Sequence, residues 1–309
     1  MNTKCNLIID SCCDLPREIV DQEGVYLLQF PYITESGEER MDDLYQSLSP
    51  KEFYDEMRAG GFPSTAQIPY PSLQAAIDWA AAQDKPCVWL SFSSGLSGTF
   101  DTISMLVSQA SEQNPELELE LVDTRLASIA EGFLVFEALR QRERGLDAME
   151  LAAWANEARW YVNCGFMVDD LGALRHGGRI PASVAFAGSK LDVKPLLSID
   201  IDGKLSVVGV ARGRKKGLRA LAERYAKGCD KSSESRTVLL GDADCAKDRE
   251  RLRDLIVKDD PDAVALESFI GPVIGSHVGP GMVAVVYWGG DRRETASVSD
   301  RIAKKVKGK

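Results

Sequence analysis

Between Pro86 and Phe100 the chain reads P-C-V-W-L-S-F-S-S-G-L-S-G-T-F, and no other stretch limits its possible folds so strongly. Residues 87–92 form an apolar run bounded by a proline and a Ser/Gly cluster, the mark of a buried strand. A loop follows, in which Ser93, Ser94, Ser97 and Thr99 supply hydroxyls while Gly95 and Gly98 permit close backbone approach. Helical spacing then resumes at Ile103, Leu106 and Val107. A strand that feeds a small polar loop and then a helix leaves unpaired amides and a positive helix end facing the loop, which makes an anion cradle. The same residues also suit a turn that only caps its own helix.

The strand-then-helix pattern recurs on both sides. Upstream, residues 6–10 read as a short strand ending in a carboxylate, D-S-C-C-D-L-P turns into a helix near Pro16 with Asp14 as cap, and residues 25–33 form a second strand. S-P-K-E at residues 49–52 is a capping box with proline at the first helical position, and Gly60 and Gly61 close that helix. The proline-rich F-P-S-T-A-Q-I-P-Y-P is expected to be a rigid loop carrying Ser64, Thr65 and Gln67 into a helix over residues 72–83. Downstream come a strand over residues 117–122 and helices over 127–142 and 147–159. Such alternation implies an α/β fold with a mainly parallel sheet and flanking helices. Ligands in such sheets sit at the carboxyl ends of strands, where the Asp10, Ser93 and Asp123 turns converge.

The second half changes character. A strand over residues 161–168 and a short helix stopped by Gly177 and Gly178 precede L-L-S-I-D-I-D-G-K-L-S-V-V-G-V, two alternating runs around Asp202-Gly203 that spell a β-hairpin. R-G-R-K-K opens a helix, followed by a strand at residues 237–240, a helix at 246–257, and a strand at 282–288. With 309 residues, more than a single core usually serves, two domains are expected: an N-terminal α/β domain, 1–158, and a C-terminal α/β domain, 159–309, with a mixed or antiparallel sheet.

No apolar run reaches membrane-spanning length and residues 7–9 are the only would-be signal core, so the expected location is cytoplasmic. Seven cysteines without a C-x-x-C pair argue against a disulfide framework or zinc site and fit a reducing compartment. The net charge of −10 argues against nucleic acid as a partner. Residues 171–231 nevertheless carry thirteen Lys/Arg against five Asp/Glu, so this stretch is +8 and the remainder −18. A basic patch on an acidic chain suits a specific anionic partner, and it leaves open a transient electrostatic contact with an anionic membrane surface.

Only two histidines are available for chemistry. His176, in R-H-G-G-R, ends a helix, where a cation complements the negative terminus. His277 lies in I-G-P-V-I-G-S-H-V-G-P-G, a composition that reads as a rigid loop before a strand, with ligand contact and a plain loop role both open. G-x-S-x-G, G-x-G-x-x-G, the Walker loop and H-E-x-x-H are all absent. Arg212, Arg214, Lys215 and Lys216 suit a phosphate, a partner, or simply a solvated helix start.

Seven pieces in register resemble the DegV family, the fatty-acid-binding proteins that act as the B subunit of bacterial fatty acid kinase. They are I-I-D-S-C-C-D-L-P, S-T-A-Q-I-P, S-S-G-L-S-G-T-F, V-D-T-R-L-A-S, G-G-R-I, K-P-L-L-S-I-D-I-D-G-K-L with R-G-R-K-K, and I-G-P-V-I-G-S-H-V-G-P-G. The resemblance implies two α/β domains with a long-chain fatty acid in a tunnel between them, no other cofactor, and no catalysis without a partner kinase that makes the acyl phosphate. It also implies a carboxylate site at Thr65, at Ser93 or Ser94, and at His277, with Arg179 and Arg212 facing the kinase and the phosphorylation step. Two departures stand out: the family's T-S-Q reads T-A-Q here, with Ala66 lacking a hydroxyl, and D-S-T-A-D-L-P reads D-S-C-C-D-L-P.

Physical chemistry supports the implied site. Burial of an acyl tail contributes roughly 0.8 kcal/mol per methylene. A buried carboxylate needs several donors at once. Hydroxyls from Thr65 and the Ser93 loop, the Gly95 amide and a histidine proton supply them without a fixed positive charge, keeping the carboxylate reactive. Two other readings remain at this level: a stand-alone acyl or phosphate-ester hydrolase using the loop at residues 93–99, and a scaffold that binds only protein.

Overall fold

The computed structural model describes residues 3–180, 192–232 and 235–294. The first half is built from β1 (Asn6–Asp10), α1 (Arg17–Val20), β2 (Val25–Leu28), β3 (Pro31–Ile33), β4 (Glu39–Met41), α2 (Pro50–Arg58), β5 (Ser64–Thr65) and α3 (Tyr70–Ala81). It continues with β6 (Cys87–Ser91), α4 (Thr99–Gln113), β7 (Leu119–Asp123), α5 (Ile129–Glu143) and α6 (Ala148–Ala158). β2, β1, β6 and β7 form, in that order, a parallel sheet whose central strands β1 and β6 are buried throughout. As expected for a strand covered on both faces, they carry continuous rather than alternating apolar residues.

The single strand expected over residues 25–33 is broken into two. Phe30 gives its amide to Ser11 Oγ at 3.0 Å and Pro31 has no amide, so the parallel ladder stops there. The chain then swings into a small antiparallel sheet, β4-β3-β5. Within the expected proline-rich loop, Ser64 and Thr65 pair with Ile33 and Tyr32 and become the edge strand β5. Asp14 is not a helix cap either: α1 starts after Pro16 with no side-chain cap. Held at φ 50°, Asp14 turns its carboxylate inward, where it accepts from Ser128 Oγ and from the Gly271 amide.

The second half comprises β8 (Val162–Met167), α7 (Gly172–His176), β9 (Val193–Ile199), β10 (Leu205–Arg212), α8 (Arg214–Gly228), β11 (Thr237–Asp242), α9 (Ala246–Asp259), β12 (Val264–Phe269), α10 (Pro272–Val278) and β13 (Val283–Trp288). Its sheet runs β10-β9-β8-β13-β11-β12, antiparallel except for the β11–β12 pair. The Asp202-Gly203 hairpin forms as expected: Asp200 Oδ1 accepts from the amides of Asp202 and Lys204, and Gly203 takes φ 73°. A bulge between Val207 and Gly209 adds local twist.

His277 is not in a loop. It occupies the last turn of α10, which has proline at its start and Gly279 at φ 76° just past its end. The glycine that made this stretch look irregular serves packing, since a Cβ on Gly275 would lie 2.5 Å from Tyr54 Oη.

α5 packs against β8, β11 and β13 and is buried on most of its surface, with Phe133, Leu134 and Val135 fully buried. The main core is therefore continuous from Ile8 and Trp89 through α5 to Val286, while α8 and α9 bury a second cluster around Leu221 and Tyr225 on the far face of the larger sheet. No helix among the described residues is long and apolar enough to cross a membrane. The basic stretch at residues 304–309 lies outside the described residues.

Candidate functional site

A cavity of about 230 Å³ lies between the two sheets. Its inner wall is apolar: Cys164 and Phe166 from β8, Ile199 and Leu205 from the hairpin, and Ala284 and Val286 from β13. Phe30, Phe92 and Leu96 face them from the first half. Polar groups gather at the open end, where Ala66 and Gln67 are exposed beside Thr65, Ser97, Gly98, Arg179 and His277.

Each polar side chain is held by a local feature of the chain. Thr65 is fixed by the pairing of β5 with Tyr32, and its Oγ1 lies 2.8 Å from His277 Nε2. The imidazole sits against Gly177, where a Cβ would come within 2.0 Å of Nδ1, so the glycine of R-H-G-G-R makes room for the ring. Ser97 Oγ donates to Thr99 Oγ1 at 3.0 Å and accepts from the Thr99 amide. Gly98 is needed beside it, because a Cβ there would lie 2.6 Å from Gln67 Nε2. Arg179 donates to the Gly177 carbonyl and lines the wall.

Electrostatics at the open end follow from burial. Desolvation, with the nearby charges of Arg179 and His176, pushes the His277 imidazole down to about 4, so the ring is neutral at pH 7. Burial also holds the Arg179 guanidinium below its ordinary value. Behind the wall, Asp10 accepts from the amides of Cys12 and Phe92 and thereby ties the end of β1 to the end of β6. Burial raises Asp10 and Asp42 to about 7 against opposing hydrogen bonds, and raises Asp14 and Glu131 as well; neighbouring carboxylates add to the shift at Asp42, Asp14 and Glu131. Cys12, on the wall, is fully buried and its thiol is raised far above the reactive range.

The geometry sorts the residues singled out from sequence. Thr65 and His277 come together. The Ser93 hydroxyl, fully buried, donates to the Gly203 carbonyl at 2.8 Å, and Ser94 Oγ donates to Asp123 Oδ2 at 2.6 Å. A Cβ on Gly95 would meet the Asp202 carbonyl at 2.4 Å. Ser93 and Gly95 seat the loop on the hairpin turn, Ser94 ties it to the end of β7, and none of the three lines the cavity. Ser97 is the loop hydroxyl that does. Arg179, expected to face a partner, stands in the cavity wall because the turn after α7 folds back onto His277. Arg212, at the end of β10, is exposed and does not line the cavity. Gln67 and Ser128 also line the wall. Gln67 had a signal in its place next to Thr65; Ser128, at φ 55°, had none.

Other chemistries find no constellation. Among the described residues no serine hydroxyl hydrogen-bonds a histidine, so the serine–histidine contact of a hydrolase triad is not formed. No group of three or more His, Cys, Asp and Glu able to hold a metal occurs there either.

Residues 4–289 match the family model described as an uncharacterised protein family, DegV. The chain belongs to the DegV family. Among curated relatives, a DegV domain-containing protein of Clostridium perfringens is 33% identical over 283 residues, covering 92% of this chain and 97% of the relative. Among solved structures, this DegV family member is similar to a fatty acid binding DegV family protein of Streptococcus agalactiae, with TM-score 0.80, 26% identity, and coverage of 93% of this chain and 99% of that one. It is also similar to a DegV lipid binding protein of Thermotoga maritima, with TM-score 0.78, 26% identity, and coverage of 94% and 99%. The α/β architecture of a parallel N-terminal and a mixed C-terminal sheet is thus the DegV fold.

Proposed function

We propose that this protein binds a long-chain fatty acid, tail inward and carboxylate at the open end, and presents it to an ATP-dependent partner kinase that forms the acyl phosphate. One observation carries the reading: an apolar cavity ends in a hydrogen-bonded Thr65–His277 pair flanked by Ser97 and Arg179. Similarity to proteins of Streptococcus agalactiae and Thermotoga maritima that bind fatty acid and lipid supports it.

In this reading the head group is held by a short relay. His277 Nδ1 is buried with no hydrogen-bond partner among the described residues, so a proton there would be an unpaired donor. We therefore assign the proton to Nε2, donating to Thr65 Oγ1. The Thr65 hydroxyl hydrogen is then free for the carboxylate, beside the hydroxyl of Ser97 and the guanidinium of Arg179. Exposure of Ala66 and Gln67 at the rim leaves the head group within reach of a second protein. Arg212, exposed on the neighbouring sheet edge, is assigned to that partner rather than to the ligand.

Native mass spectrometry of recombinant protein tests the binding step. The expected result is a co-purified acyl ligand, or stoichiometric uptake of added palmitate; a chain that stays empty in both experiments refutes it. With a partner kinase and ATP, Arg212→Ala should lower acyl phosphate formation while leaving uptake intact. Loss of uptake in that variant contradicts the assignment.

A further inference from the structure

Trp160, which follows α6, is half-buried and surrounded by four guanidinium groups. The Cζ atoms of Arg159, Arg125, Arg293 and Arg292 lie 4.9, 5.5, 5.5 and 6.0 Å from its ring centroid. One cation over an indole is an ordinary attraction, but four around one ring repel one another.

Carboxylates are distributed unevenly over Arg293, Arg125 and Arg159. Arg293 is neutralised by Asp291 and Glu157. Arg125 pairs with Asp123, its Nε 3.5 Å from Oδ2, an oxygen that also accepts from Ser94 Oγ, and among the described residues its one side-chain hydrogen bond goes to the Ile201 carbonyl. Among the described residues Arg159 donates only to the backbone carbonyl of Asp123, has no carboxylate partner, and buries an Nε with no acceptor. Arg292 donates to the carbonyls of Ile199, Asp200 and Arg159. A half-buried guanidinium such as that of Arg159 is ordinarily paired with an anion and offers a planar fork to it.

The cluster also has a distinctive location. It spans the seam between the halves, with Arg125 reaching from the end of β7 to the hairpin turn and Arg292 tying the end of β9 to Arg159. None of these residues lines the acyl cavity, and Arg125 and Arg293 are 37% and 41% exposed, so the site is open to solvent. We infer that Arg125, Arg159 and Trp160 form a second binding site, specific for a phosphoryl oxyanion held by guanidinium forks beside the indole. The phosphoryl group is either inorganic phosphate or the phosphate of a nucleotide whose base stacks near Trp160.

Calorimetric titration of the full chain with inorganic phosphate, and separately with adenosine monophosphate, tests this at constant ionic strength set with chloride. The expected result is saturable binding at one site per chain. Arg159→Gln should weaken it about tenfold or more, the loss of a charge-assisted hydrogen bond, and Arg125→Gln, at a more exposed position, should weaken it independently. Binding of adenosine monophosphate at least tenfold tighter than phosphate, with that gain lost in Trp160→Phe, identifies a nucleotide site; equal affinities identify a free phosphoryl site. Thermal unfolding and fatty acid uptake report whether each variant is folded. No saturable heat with either probe, or equal heat in wild type and in both folded arginine variants, overturns the inference.

Discussion

Replacing Ser97 with alanine separates two placements of the head group along the S-S-G-L-S-G-T loop. In the free protein the Ser97 hydroxyl donates to Thr99 Oγ1, a neutral acceptor that it exchanges for the carboxylate on binding. A hydrogen bond to a charged group contributes about 1.5–3 kcal/mol against about 1 kcal/mol for a neutral pair. The difference lost in Ser97→Ala is therefore about 0.5–2 kcal/mol, roughly 2- to 30-fold in Kd. Its bond from the Thr99 amide, at the first residue of α4, affects stability instead, by about 0.5–1 kcal/mol, and is absent from the free and bound variant alike. Ser94→Ala should behave in the opposite way: removing the partner of Asp123 lowers stability by about 1–2 kcal/mol and leaves affinity within about twofold. Displacement of a fluorescent polyene fatty acid by palmitate measures Kd, and urea unfolding measures stability. If Ser97→Ala binds as wild type while Ser94→Ala loses tenfold, the carboxylate lies on the hairpin side and the site described above is wrong.

His277 should leave a signature in stability. Its folded value, about 4, lies below the ordinary histidine value of about 6.5, so between them the unfolded chain holds a proton that the folded chain lacks. Stability should therefore fall as pH drops through this window, by about 3 kcal/mol in total, and His277→Asn should abolish that component. Urea unfolding of both proteins at neutral pH and near pH 4 checks it, since titrations common to the two cancel in the difference; parallel curves would contradict the assigned burial. Ala284, on β13 in the inner wall, is small and buried, and Ala284→Phe fills the space beside Phe166. Uptake of palmitate should fall at least tenfold while octanoate is retained, and unchanged palmitate uptake would place the tail elsewhere.

The residues themselves carry much of this protein. The buried strands around Trp89, the capping boxes at Ser49 and Asp147, and the Asp202-Gly203 hairpin are local features: period, cap and turn chemistry act within a few residues, so they are legible without knowing what packs where. Thr65 and His277 were legible as polar residues in unusual loops, and their resemblance to a family motif joined them. Their 2.8 Å contact bridges 212 positions and depends on β5 pairing with Tyr32 and on α10 packing against Tyr54.

What only the tertiary structure decided is how each polar group is used. Four hydroxyls between Ser93 and Thr99 look alike in a string of letters. The hairpin turn, arriving from residue 203, takes the one on Ser93, Asp123 takes the next, and Ser97 is left facing the cavity. Likewise Arg179 joins the wall because Gly177 lets His277 come close, Asp14 abandons the cap of α1 for the Gly271 amide, and Arg159 gathers with three other arginines around an indole. A hydrogen bond is short and directional, so its partner is set by whichever segment folds within about 3 Å. That choice belongs to the packing of distant elements, whereas the elements belong to the sequence.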